Sequence, residues 1–227
     1  MNAFLDRGAA AAAGLLILLL LGSLAGCGTP YATVANRAAA PVMLLGHDPV
    51  AYFTRGQPLR GSPQWQLSLP QRTYYFASAE HQALFAADPA RYEPQYGGFC
   101  ASGAAFAIKL GSDPTAWQIH RGRLFIFGDV LGRTAWNIDP DWNIEHADRL
   151  WPAMRERGWR AQSLMRYAFK VTHYLSGREI QAQWQQKNPG QAWPSYDPGG
   201  MFSNLVTKQP GWRAAEGFGQ PALGYPE

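Results

Sequence analysis

The order of apolar and polar positions divides the chain into distinct zones. Ala9 to Leu21 is an unbroken apolar run of 13 residues, with Arg7 before it and small residues after it. Further on, apolar and polar residues alternate. Gln64 to Leu69 and Thr73 to Ala77 read as two strands around a Pro-Gln-Arg turn. WQIH (117–120) and RLFIF (123–127) read as a second hairpin, with Arg121-Gly122 at its turn. Helical spacing follows each hairpin. Ser78 is placed to cap a short helix carrying Ala83, Leu84 and Phe85. Residues 129–138 and 140–150 also read as helices. A longer helix is predicted over 160–175, with Leu164, Ala168, Val171 and Leu175 on one face. A short one is predicted over 177–187. Strand pairs interleaved with helices predict an α+β fold.

The dipeptide Asp-Pro punctuates this pattern as DPVAY (48–52), DPARY (88–92), DPTAW (113–117) and DPDW (139–142). Asp accepts from free amides at a helix start, and Pro fits the first turn, where no backbone donor is needed. The four sites are therefore expected to be helix starts. Their uneven spacing argues against a structural repeat.

Composition narrows the class. The chain has 227 residues, with 16% charged and 13% aromatic, including nine Trp. About 200 residues after the apolar run suffice for one good core or two small ones. The net charge of +4 is mild and gives no case for nucleic acid as a partner. Gly-rich phosphate loops, HExxH, GxSxG and CxxC do not occur, so the chemistry those motifs carry has no footing here. From Asn188 onward there are 13 Gly and Pro in 40 residues, together with six large aromatics. Solvated linkers do not need such rings, so residues 188–227 are expected to form an irregular arm packed on a surface, its own or a partner's.

There are two cysteines, Cys27 and Cys100. The apolar run ends in Leu24-Ala25-Gly26-Cys27, which resembles the lipobox of bacterial lipoproteins. The resemblance implies that residues 1–26 are a signal peptide and that Cys27 is lipidated and becomes the N-terminus. It further implies attachment to the cell membrane or outer membrane, facing the periplasm. The other reading is an uncleaved anchor, because no charge lies between Arg7 and Arg37 and a spanning helix needs about 20 residues. A lipidated Cys27 cannot bridge to Cys100. The small, polar stretch that follows is expected to act as a tether over residues 27–40.

Three stretches carry a second resemblance: GHDPVAYF (46–53), TYYFASAEHQALFAADPARYEPQYGGFCASG (73–103) and DPTAWQIHRGRLFIF (113–127), with Trp136 and Trp151 behind them. Together they resemble the YHS domain of exported bacterial proteins, assigned here to residues 41–153. The resemblance implies a small α+β module of β-hairpins and short helices, non-enzymatic, with relatives beside metal-handling proteins. Those relatives use three cysteines as ligands. Here Ala51, Ala77 and His81 stand in their places. A surviving site would draw on Cys100, His47, His81 and His120, a mixed set suited to copper or zinc. Cys100 itself, after Gly97-Gly98 and before small residues, reads as an inert buried thiol, a metal ligand or a reactive thiol.

A helical extension, 154–187, is expected to follow the domain. Arg155, Arg157, Arg160, Arg166 and Lys170, with Trp151 and Trp159, are expected to form a surface for a membrane or for a membrane protein complex. The functional expectation is a membrane-anchored binding module linked to metal handling. The alternatives are an accessory subunit of a membrane complex and a cysteine-dependent redox or hydrolytic enzyme.

Overall fold

The computed structural model of the chain describes residues 30–34, 41–158 and 177–191. Residues 1–26, Cys27, the expected helix 160–175 with Arg160, Arg166 and Lys170, Trp159, and the arm beyond 191 lie outside the described residues. The described fold is α+β. Strands β1 (Thr33–Val34), β2 (Val42–Met43), β3 (Ser62–Leu69) and β4 (Arg72–Phe76) form one sheet in the order β1-β2-β4-β3. Strands β5 (Asp113–His120) and β6 (Arg123–Phe127) form a second. The helices are α1 (Ala51–Thr54), α2 (Ala79–Ala87), α3 (Pro89–Tyr92), α4 (Ala101–Ala104), α5 (Val130–Trp136), α6 (Pro140–Met154) and α7 (Gly177–Lys187). Both predicted hairpins and the short helix 177–187 are present.

The expected tether is shorter than 27–40. Thr33 and Val34 pair with Met43 and Val42, so the chain is already part of the sheet six residues after Cys27. Pro30 and Ala32 are buried, and the Ala32 amide donates to the Gly97 carbonyl at 2.8 Å. Tyr31 lies under the Arg72 guanidinium, 4.3 Å from ring centre to charge.

The domain is a tandem structural repeat, contrary to the expectation from the Asp-Pro spacings. Each unit is a hairpin with strands of eight and five residues, followed by two helices, and the second unit lies 51 residues after the first. The hairpin registers agree: Ser62 faces Phe76 before a bulge, and Asp113 faces Phe127 before a bulge. The caps agree as well. Ser78 accepts from the His81 amide and Asp129 from the Gly132 amide. Asp88 accepts from Arg91 and Asp139 from Trp142, each followed by Pro. Upstream, the left-handed turn at Leu44, Leu45 and Gly46 (φ 51, 54 and 81) is matched by Tyr96, Gly97 and Gly98 (φ 54, 60 and 78). Arg72 pairs with Glu93 at 2.6 Å and Arg123 with Asp148 at 2.6 Å.

Spacing of the motif misled because DPTAW does not start a helix. Asp113 opens β5, and its carboxylate accepts from the Thr115 amide at 2.9 Å. Its counterpart is Ser62, whose hydroxyl accepts from the Gln64 amide at 3.2 Å. Among the described residues there are two cores, and the first draws on both units. Phe76, Phe85 and Tyr74 fill the first, and Phe127, Trp136 and Phe125 the second. The second hairpin is buried on both faces: Leu124 and Ile126 of β6 pack into the first core, while Phe125 and Phe127 face the second.

Candidate functional site

The first unit holds a buried polar chain. Asp48 is fully buried just before α1. Its Oδ1 accepts from the amides of Val50 at 2.8 Å and Ala51 at 3.3 Å. Its Oδ2 accepts from the Ala77 amide at 2.8 Å and meets His81 Nδ1 at 2.5 Å. Four donors on one carboxylate satisfy an ion that would otherwise be costly to bury. His81 Nε2 lies 3.1 Å from the hydroxyl of Thr54, which donates to the Val50 carbonyl. Thr54 is exposed and His81 is 5% exposed. A helical histidine with charged and polar neighbours in sequence would ordinarily be a surface residue, but His81 is held in the interior by Asp48. An acid, an imidazole and a hydroxyl in line is the arrangement that activates a nucleophile in hydrolases. Here the hydroxyl proton is directed at a helix carbonyl, and the acid ties the loop before α1 to the end of β4.

The second unit puts Cys100 where the first puts Asp48. Cys100 is 3% exposed, directly before α4, and the amides of Ser102, Gly103 and Gly128 point to its sulfur. These amides match those of Val50, Ala51 and Ala77 around Asp48. At the place of His81 stands Gly132, where a Cβ would lie 3.7 Å from the Cys100 sulfur. Burial pushes the thiol pKa up, against the pull of those amides. A raised pKa keeps the protonated, weakly nucleophilic form. The fold is thus built once with an Asp–His pair and once with a thiol beside a glycine.

The other two candidate ligands lie apart from this chain. His47 is buried, with Nδ1 2.9 Å from the Leu44 carbonyl. His120 ends β5, edge-on to Trp136 at 5.5 Å, and its Nε2 is 3.5 Å from Asp141 Oδ1. Among the described residues no three His, Cys, Asp or Glu come together in a group that could hold a metal. Cys100, His47, His81 and His120 are not assembled, and His81 has both nitrogens against other side chains. These residues do not fit a copper or zinc centre.

His47 carries a prediction for acid stability. Burial, the largest effect, lowers its pKa from 6.5 to about 4, although the Leu44 carbonyl opposes the shift. Below pH 6.5 the unfolded chain takes up a proton that the folded chain refuses. Stability is therefore lost as pH falls from 6.5 toward 4 and not lost further below that. The full loss from this one group is about 3 kcal/mol. Urea unfolding at pH 7 and pH 4.5 should show a smaller difference in His47→Asn than in the wild-type chain. Equal differences in the two proteins would count against this assignment.

A second assembly joins the two ends of the domain. Lys109 is fully buried, and its ammonium donates to the carbonyls of Arg155 and, at 2.9 Å, Arg157 at the end of α6. Burial lowers its pKa to about 8. It lies 5.7 Å from the Trp151 ring. Trp151, expected at a surface, is instead half-buried against Tyr96 and Phe99. The reason is Gly97, where a Cβ would lie 3.3 Å from the Trp151 ring and only 1.9 Å from the Pro30 carbonyl oxygen. Arg155 and Arg157 are exposed, as expected. Sequence reading passed over Lys109, although a single charge within the apolar run 104–110 was the available signal.

Set against known proteins, the chain matches no family model, no curated protein and no solved structure.

Proposed function

We propose that this chain is a lipid-anchored, non-enzymatic binding module of YHS type, held through Cys27 at the cell membrane or outer membrane and facing the periplasm. One observation carries the reading. The lipobox-like Leu24-Ala25-Gly26-Cys27 ends three residues before Pro30, and Pro30 is buried in the domain. The lipobox-like segment thus lies directly before the first described residue of the folded domain, which supports a cleavage and lipidation point at Cys27. The two polar centres support a binding rather than a catalytic role. Asp48 is committed to three backbone amides and His81, the Thr54 hydroxyl beyond them donates to the Val50 carbonyl, and the Cys100 thiol is sealed in the core with a raised pKa. The link to copper or zinc, implied by resemblance, gains no support from the placement of the four candidate ligands.

The test is metabolic labelling with an alkyne analogue of palmitate. Wild-type protein should take up the label and lack residues 1–26. Cys27→Ser should take up none and keep residues 1–26, because lipidation precedes cleavage in this route. Label persisting in Cys27→Ser, or absent from the wild-type chain, would refute the proposal.

A further inference from the structure

We propose that the edge made by Pro30, Trp151 and the last turn of α6 is the face this protein turns to an anionic bilayer, with Arg155 and Arg157 meeting lipid phosphates. This rests on the lipid-anchored reading and adds an orientation to it.

Chain length sets the first constraint. Only Gly28 and Thr29 separate Cys27 from Pro30, three steps with a reach of at most about 11 Å when fully extended. Lipid on Cys27 holds that atom at the headgroups. Pro30 must then lie within about 11 Å of the headgroups, a little more than one screening length of roughly 8 Å at physiological salt. Pro30 is buried, the Ala32 amide donates to Gly97, and β1 pairs with β2, so Pro30 moves with the domain and the domain's entry edge is held near the headgroups.

Contacts then run from the entry point to the basic turn. The Pro30 carbonyl packs on Gly97, Gly97 on Trp151, and Trp151 beside Lys109, whose ammonium grips the carbonyls of Arg155 and Arg157. The anchor site and the end of α6 therefore move as one body. Arg157 is exposed, and the Arg155 side chain is 47% exposed. The acid in that turn is Glu156, 2.9 Å from the Arg155 guanidinium. The opposite edge of the sheet differs. Strand β3, with the sequence SPQWQLSL, lies farthest from β1 and carries no charge. Guanidinium forks match phosphate oxygens in pairs, which suits lipid phosphates at short range.

The test uses full-length protein taken from membranes, with one introduced cysteine. Cys100 is buried, and a lipidated Cys27 has no free thiol, so a dye attaches only at Ala153→Cys, on the last turn of α6, or at Gln64→Cys, on β3. Each labelled protein is placed in vesicles of phosphatidylcholine alone or with phosphatidylglycerol, each with a headgroup acceptor dye. On the anionic vesicles, transfer should be strong from position 153 and weak from 64. Reversal with R155E and R157E should bring the two positions toward equality while the protein stays on the vesicles. Equal transfer from both positions in the wild-type background, or stronger transfer from 64, would overturn the orientation. The anchor and the face can also fail separately. The chain from Cys27 to Glu227, made without lipid, should prefer anionic over neutral vesicles, and R155E with R157E should weaken that preference by at least about 30-fold. Equal absence of binding to both vesicle types would remove the face whether or not Cys27 proves to be lipidated.

Discussion

Asp48→Ala should cost about 4 kcal/mol of folding stability or more. The carboxylate is fully buried and accepts from three backbone amides and His81. Truncation removes every one of those acceptors at once. Each buried donor left without a partner costs about 1–3 kcal/mol, and water has no easy entry. For a domain of this size, total stability is about 5–15 kcal/mol, so the loss approaches the whole of it at the lower end. His81→Ala should cost less, about 2 kcal/mol, because the three amide bonds to Asp48 remain. The second unit supports that order, since it folds with Gly132 at the place of His81. Urea midpoints of the two variants measure the difference. Asp48→Ala within about 1 kcal/mol of wild type would show that the clasp between α1 and β4 does not hold the unit together.

Gly97→Ala should release the N-terminal strand. Two effects could make glycine necessary here, and the repeat separates them. The backbone at 97 has φ +60, a left-handed conformation that costs an alanine about 1–2 kcal/mol. Yet its counterpart Leu45 has φ 54 and is not glycine. Conformation alone therefore does not demand glycine. The decisive effect is approach, because a Cβ at 97 would lie 1.9 Å from the Pro30 carbonyl oxygen. Backbone cannot be overlapped at that distance, and the least costly relief is withdrawal of residues 30–34 from the sheet. Loss should reach about 3 kcal/mol, from the left-handed alanine together with the Ala32 bond to Gly97 and the strand pairing. Gly122→Ala is the control. It has φ +74 and open space around its Cβ position, so about 1 kcal/mol is expected. Amide exchange reads the result directly. Protection at Thr33 and Val34 should fall sharply in Gly97→Ala and stay intact in Gly122→Ala. Unchanged protection in Gly97→Ala would contradict the account of how the chain enters the domain.

The hairpins and most helix starts can be read from the sequence because local rules fix them. Alternation marks β3 to β6, and Ser78, Asp88, Asp129 and Asp139 each cap the helix they precede. The repeat is harder to see. Its two units agree in cap geometry and side-chain volume more than in identity. Ser78 is matched by Asp129 and Phe85 by Trp136, which serve the same purpose with different residues. Asp48 is matched by Cys100, and no substitution scale would pair those two. What they share is a nest of three amides, and only the folded chain brings Ala77 or Gly128 to it. The partner of His81 was hidden for a similar reason, since Asp48 lies 33 residues away and its cap role already explained it. From sequence, Trp151 reads as a surface ring because nothing local reveals that Gly97 leaves room for it. Lys109 shows the opposite case, a charge whose apolar neighbours announced burial but whose partners, two carbonyls past the end of α6, depend on the tertiary fold.

Both proposals, the anchored module and its membrane-facing edge, depend on what happens at Cys27. The most direct measurement is the intact mass of the native protein extracted from membranes, with fragmentation of its N-terminal peptide. The account predicts a chain that begins at Cys27 and carries a lipid on that residue, with Cys100 unmodified. A chain that begins at Met1, with Cys27 as a free thiol, would contradict it.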